Sequence, residues 1–195
     1  MSGVSTRDMA AHDIWAVSTL RVTGWRTAYR GIVPDDYLDG LSVEADAERR
    51  RSVFQKDPRI QNVVAEDDRG VVGWGVLGPC RDDDATDTDG EVYALYVAVA
   101  RIGTGVGRTL MEELIRRAER AGFTALTLWV LAENHRARRF YERAGFGFDG
   151  SQAEWSVDGI SIPEVRYAKD VRHSGSSPVQ ESSPMSPVAS DSTRH

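Results

Sequence analysis

The run Arg101-Ile102-Gly103-Thr104-Gly105-Val106-Gly107-Arg108 sets three glycines at alternate positions between a strand-like and a helix-like segment. Such a turn gathers unpaired backbone N–H groups and the positive end of a helix dipole at one spot, where anions bind. Glycine suits it because a Cβ would keep phosphate oxygens from the main chain, and because these loops often use left-handed φ values. Arg108 adds a cation in the first helical turn. The same glycines would also serve a turn that merely lets the helix pack close to a sheet. A dinucleotide fingerprint fails because the third glycine position, counted from Gly103 and Gly105, is Arg108, and no Gly-Lys-Ser/Thr of a P-loop is present.

The elements that must hold this turn are read from periodicity. Val4 to Thr6 reads as a strand, and Ile14, Val17, Leu20, Val22 and Trp25 recur at helical spacing up to Tyr29. A short helix starts at Asp35 and a charged one spans Val43 to Phe54. Asn62 to Glu66 and Val71 to Leu77 form a hairpin around Asp67-Asp68-Arg69-Gly70. The acidic stretch from Asp82 to Asp89 reads as a loop, and Glu91 to Val99 as a strand. After the glycines, Val106, Leu110, Leu114 and Ala118 make an apolar helical stripe, with Glu112–Arg116 and Glu113–Arg117 as i,i+4 pairs outside. Ala125 to Val130 is a buried strand. A helix capped by Asn134 then runs to Gly145, and Asp158-Gly159 joins a closing hairpin of Phe146 to Trp155 and Ile160 to Lys169. The layout is α+β, with helices on a mixed sheet whose central strand feeds the glycine turn.

With 195 residues, the chain suits one domain over residues 1–170 and a Ser/Pro-rich tail, 171–195, expected to be disordered. A net charge of −6 argues against a nucleic-acid surface and favours cationic partners. One cysteine, Cys80, excludes an intrachain disulfide and fits a reducing, cytoplasmic setting. His12, His135, His173 and His195 offer no zinc spacing, so no metal is expected. An EF-hand register ending in Asp89-Gly90 would put Ala85 first and Tyr96 last, so calcium is rejected too. The N-terminal residues lack the apolar core of a signal peptide, and nothing approaches the ~20 apolar residues of a membrane span.

The residues Ile102 to Gly107, together with Asn134, Ala137, Phe140, Tyr141, Gly145 and Phe146, resemble the two signatures of the GNAT superfamily of N-acetyltransferases. Ile102 departs from the Gln or Arg usual at the first position. Trp25 to Gly31 with Pro34 is similar to the first-helix region of many bacterial members. The resemblance implies a single domain around a mixed, mostly antiparallel sheet. That sheet would splay between the strand at Glu91 to Val99 and the strand at Ala125 to Val130, with helices on both faces and the pantetheine arm of acetyl-CoA in the splay. Backbone N–H groups near Val97 and Val99 would hold the acetyl carbonyl and pantetheine, while Gly103, Thr104, Gly105, Gly107 and Arg108 would take the pyrophosphate. Tyr141 falls where many relatives protonate the departing thiolate.

Acetyl transfer to an amine with a pKa near ~10.4 requires a proton to be removed, at a cost of about 4–5 kcal/mol at pH 7. Glu91 shares the alternating face of Tyr93, Leu95, Val97 and Val99, and its place fourteen positions before Gly105 is similar to that of the general base in some members of the superfamily, so it is expected as the base, directly or through water; the alternative is a solvated strand-start residue. Asn134 either caps its helix or also bonds the pantetheine. Trp25 and Tyr29, with Tyr37 and Trp74, line an acceptor pocket or simply pack. Asp82, Asp83, Asp84, Asp87 and Asp89 attract a cationic acceptor or are a solvated loop. Arg136, Arg138, Arg139 and Arg143 form a solvated face or meet the adenosine phosphate. The expected acceptor is a small-molecule or protein amine, and a homodimer is admitted. The rival readings are an acyl-CoA-sensing module without catalysis and an enzyme that modifies protein lysines or N-termini.

Overall fold

Seven strands form one sheet in the order β1-β2-β3-β4-β5-β7-β6, in a computed structural model that describes residues 3–172. The strands are β1 (Ser5–Asp8), β2 (Gln61–Asp67), β3 (Gly70–Pro79), β4 (Asp89–Val97), β5 (Ala125–Leu131), β6 (Gly147–Val157) and β7 (Ile160–Asp170). Every neighbouring pair is antiparallel except β4 and β5, which run parallel. The helices are α1 (Ile14–Ala28), α2 (Asp35–Gly40), α3 (Val43–Val53), α4 (Val106–Arg120) and α5 (His135–Arg143). The α+β architecture and the order of elements agree with the expectation from periodicity. The proposed tail lies outside the described residues from 173 onward. Val171 itself is buried, and its N–H donates to the Thr124 carbonyl at 3.0 Å.

Both faces of the sheet are covered by helices that bury apolar side chains against it. On one face Val106, Leu110, Leu114 and Ala118 of α4 pack onto Val63, Ala65, Val72, Leu77 and Val92. Gly75 lets this helix sit low: a Cβ there would stand 2.8 Å from Leu114 Cδ1. Glu113 of α4 is not outside but buried, held by Arg117 at 2.6 Å, and Glu112 takes Arg108 at 2.8 Å rather than Arg116. On the other face Ile14, Val17 and Leu20 of α1 pack on Val64, Trp74 and Val76. A third cluster, Val33, Leu38, Leu131, Val157 and Ile162, closes the end of that face under α1 and α2.

Two details of β4 decide where its side chains and its free N–H groups point. Its pairing with β3 slips between Val76 and Leu77, so Tyr93 is an extra residue, a β-bulge that reverses the alternation of side chains. Val92, Leu95 and Val97 belong to the α4 face, whereas Tyr93, Ala94 and Tyr96 belong to the α1 face. The strand ends at Val97, and Val99 starts a 3-10 turn, Val99–Arg101, instead of prolonging the strand. Among the described residues no helix is long and apolar enough to cross a membrane.

Candidate active site

The glycine turn is built as its composition predicts. Gly103 and Gly105 have φ of +82° and +97°, and Gly105 is the N-cap of α4. A Cβ on either would meet nothing within 4 Å, so space above the loop is open and the glycine requirement is conformational. The first helical bond runs from Thr109 N–H to the Gly105 carbonyl at 3.0 Å. The N–H groups of Val106, Gly107 and Arg108 therefore have no acceptor within the helix. Gly107 has a different reason: a Cβ there would lie 3.4 Å from both Phe140 and Val97, which seats α5 beside the turn. Thr104 is exposed, and its hydroxyl donates to the Arg101 carbonyl at 2.7 Å, which braces the loop.

Beyond the turn the sheet opens. β4 and β5 pair only at Asp89↔Ala125, Gly90↔Leu126 and Glu91↔Thr127, after which the parallel strands diverge. A cavity of about 870 Å³ fills the wedge and runs from the glycine turn to α1. Ala98 N–H donates to the Val72 carbonyl at 2.8 Å, so by alternation Tyr96 and Ala94 also face β3. The N–H groups of Val97 and Leu95 point into the wedge, and Val99 lines its mouth. The β4 bulge lies at Tyr93, upstream of these donors.

From α5, Tyr141, Asn134 and Ala137 border the cavity. Asn134 Oδ1 accepts the Ala137 N–H at 3.1 Å as an N-cap, which leaves its NH₂ group unused by the cap in a residue that lines the cavity. The Tyr141 ring is fixed edge-on by Phe140 at 5.3 Å and by Phe146 at 6.3 Å. Burial pushes its phenol well above the ordinary tyrosine value, with a smaller push from Tyr96, so it stays protonated.

The far end is aromatic. Trp25 meets Tyr29 and Trp155 edge-to-face at 5.0 and 5.3 Å, and Tyr37 stands 5.9 Å from Trp155. Trp25 Nε1 donates to Tyr96 Oη at 2.6 Å. Trp25, Tyr29 and Tyr37 thus line the cavity as one of the two sequence readings has it, whereas Trp74 is buried behind Tyr96, stacked at 5.8 Å, and does not. Trp155, Tyr96 and Glu164 also line it, and the sequence reading does not single them out.

Glu91 does not share the face of Leu95 and Val97, contrary to the expectation from alternation. Its carboxylate is buried and accepts from the Arg81 backbone N–H at 3.1 Å and Nε at 3.0 Å, with Nη2 on the other oxygen. The same guanidinium lies 4.0 Å over the Tyr93 ring, on the face opposite Leu95 and Val97. The bulge is the cause: strict alternation would have aimed Glu91 with Leu95, and the extra residue turns it away. Arg81 and Tyr93 border the cavity, and Glu91 stands behind them.

Other charged residues sort differently from expectation. Asp82 accepts from Trp129 Nε1 at 3.0 Å, and Asp82 and Asp84 hold Arg166 at 2.9 and 2.7 Å, so the acidic loop is partly tied to β7. Arg138 donates to the Ala132 carbonyl at 2.9 Å and to Tyr167 Oη at 3.1 Å, a structural role, while Arg136 and Arg143 reach the cavity rim. Arg108 is also at the rim, with its Nε on Glu112. Cys80 lies outside this cavity, 3.4 Å from Thr127 Oγ1, and burial pushes its thiol up.

A family model described as "Acetyltransferase (GNAT) family" matches residues 25–146. An uncharacterized N-acetyltransferase of Bacillus subtilis (strain 168), YuaI, is 32% identical over 132 residues, which is 67% of this chain and 73% of that protein. Among solved structures, the ribosomal-protein-alanine N-acetyltransferase from Brucella melitensis superimposes with a TM-score of 0.67 at 21% identity, covering 85% of this chain and 99% of that one. The PaiA N-acetyltransferase from Thermoplasma acidophilum, in complex with coenzyme A, gives 0.64 at 19% identity, covering 86% and 99%.

Proposed function

Because this chain belongs to the GNAT acetyltransferase family and is an acetyl-CoA-dependent N-acetyltransferase, we propose that it transfers the acetyl group by direct attack of an amine within the β4–β5 wedge. The observation that carries this reading is continuity. One cavity joins the unpartnered N–H groups at the start of α4, the inward N–H groups of Leu95 and Val97, and the phenol of Tyr141. When bound, acetyl-CoA supplies the activated acyl group and a thiolate leaving group.

The chain's own residues divide the work along the cavity. Gly103, Gly105, Val106, Gly107 and Arg108 hold the pyrophosphate through main-chain donors, and Arg108 adds positive charge. The Asn134 side-chain NH₂ and the Val97 N–H orient the pantetheine arm. An N–H aimed at the acetyl oxygen stabilises the charge that develops there as the amine attacks. Tyr141 donates a proton to sulfur. Burial that raises the phenol also raises a thiolate in the same cavity, so donor and acceptor shift together. Glu91 acts as a positioning residue that fixes Arg81 and, through it, Tyr93 at the cavity wall. Cys80, with its raised thiol and its place outside the cavity, fits transfer without an acyl-enzyme.

The test is acceptor-dependent release of thiol from acetyl-CoA by the full chain over a panel of amines, with mass detection of the N-acetyl product. Thiol release that yields an acetylated protein cysteine as a kinetically competent species would overturn direct attack.

A further inference from the structure

Among the described residues, one carboxylate lines the acceptor end of the cavity, Glu164 of β7. Register places it beside Leu131 of β5 and Ala153 of β6, on the face that carries Trp155 and Ile162. It is partly buried, and among the described residues it makes no ion pair or side-chain hydrogen bond. The guanidinium two positions along the same strand face, Arg166, is taken by Asp82, Asp84 and Asp149 at 2.9, 2.7 and 2.7 Å. The other arginines toward this end are also engaged: Arg21 with Asp46 at 3.0 Å and Arg81 with Glu91. An uncompensated carboxylate inside an apolar wall is costly, and it persists where a cation visits. Burial pushes its carboxyl above the usual range, and Glu164 in turn contributes to the raised phenol of Tyr29, which places the two within electrostatic reach.

We propose that Glu164 receives the acceptor's ammonium group and takes its proton, and that the acceptor is a primary amine on a compact apolar or aromatic body without an acidic group. This rests on the direct-transfer reading above. Tyr29 and Trp155 supply aromatic rings whose faces attract a cation, and Trp25, whose ring already lies under the Arg21 guanidinium at 4.5 Å, adds apolar wall for the acceptor's body. The steps balance. One proton passes from the ammonium to Glu164, the neutral nitrogen forms the N–C bond, and the C–S bond breaks. Sulfur takes a proton from Tyr141, the phenolate regains one from the acylated nitrogen, and Glu164 returns its proton to solvent.

The experiment uses the full chain and three probe amines: 2-phenylethylamine, phenylalanine, and 2,2,2-trifluoroethylamine, whose fluorines leave it neutral at pH 7. Wild type is expected to acetylate 2-phenylethylamine with at least tenfold higher kcat/KM than phenylalanine. Glu164→Gln is expected to lower kcat/KM for 2-phenylethylamine by about a hundredfold or more. The same variant should leave the CoA dissociation constant within twofold and turnover of the neutral amine within fivefold. An equal loss on both amines with CoA binding intact removes the proton-acceptor role. Preference of wild type for phenylalanine, or CoA binding without turnover of 2-phenylethylamine, overturns the acceptor class. Absence of CoA binding by wild type would instead take down the direct-transfer reading itself. Glu164→Gln is isosteric and removes a buried charge, so its melting temperature should match or exceed wild type; Glu164→Asp should recover part of the lost rate.

Discussion

Replacing Gly105 by Asp tests the phosphate cradle where the geometry is simplest. Gly105 has φ of +97° and no atom within 4 Å of where its Cβ would stand, so any side chain there adds no clash but strains the backbone by about 1–2 kcal/mol. Gly105→Ala isolates that strain, which falls on the free and bound states alike. Asp adds a negative charge. A phosphate held at the adjacent N–H groups would bring its oxygens within about 5 Å of the new carboxylate. At effective dielectric constants between ~20 and ~80 the repulsion is about 1–3 kcal/mol per phosphate charge, so two charges give about 2–6 kcal/mol. That corresponds to a loss of CoA affinity of at least ~30-fold, against at most ~10-fold for Gly105→Ala. Calorimetric titration with CoA measures both, and thermal melting should show the two variants destabilised to a similar degree. A folded Gly105→Asp protein that binds CoA with the wild-type dissociation constant refutes the cradle.

Three further outcomes are expected. Tyr141→Phe should lower kcat by about a hundredfold while moving the CoA dissociation constant less than threefold, because the ring packing on Phe140 and Phe146 is kept and only the proton donor is lost; equal turnover would end its acid role. Gly75→Ala should cost about 1–3 kcal/mol in denaturant unfolding, since the new Cβ stands 2.8 Å from Leu114 Cδ1 across the α4 interface. Asp13 is held below the usual carboxylate range by the Arg7 guanidinium at 2.6 and 2.9 Å, a preference that outweighs its burial. A carboxyl depressed in the folded state stabilises above its unfolded pKa, near ~3.9, and loses that contribution as pH falls through the folded value. Asp13→Asn should therefore cost about 2–3 kcal/mol at pH 7, and its melting temperature should fall less steeply than wild type's below about pH 4. Parallel acid slopes would show that the pair contributes nothing.

Most elements are legible in the sequence because their periods are local properties. The stripe at Val106, Leu110, Leu114 and Ala118 needs no knowledge of the sheet it covers, and Asp158-Gly159, both at positive φ, announces its hairpin by residue type alone. The glycine turn is legible for the same reason: its chemistry is main-chain chemistry, carried by neighbours in sequence. What fails is the aim of a side chain. Period-two alternation puts Glu91 with Leu95, and one bulge residue at Tyr93, invisible in a run rich in Val, Tyr and Leu, reverses it.

Glu164 shows the opposite case, a residue whose place is partly derivable although no motif marks it. Once Val157 pairs with Ile160 across the two-residue turn, Trp155 must face Ile162 and Ala153 must face Glu164, so Trp155 and Glu164 share a side. That places a carboxylate beside an aromatic ring from the hairpin register alone. It does not say that α1 delivers Trp25 and Tyr29 onto that side, or that Arg166, two positions on, is taken by Asp82 and Asp84 from a loop some eighty residues earlier. Reading those aspartates as a solvated loop misses their work in the site: by occupying Arg166 they leave Glu164 without a counterion. The reactivity of the acceptor end is thus set by a long-range competition among carboxylates for one guanidinium, and no motif of contiguous residues encodes such a competition.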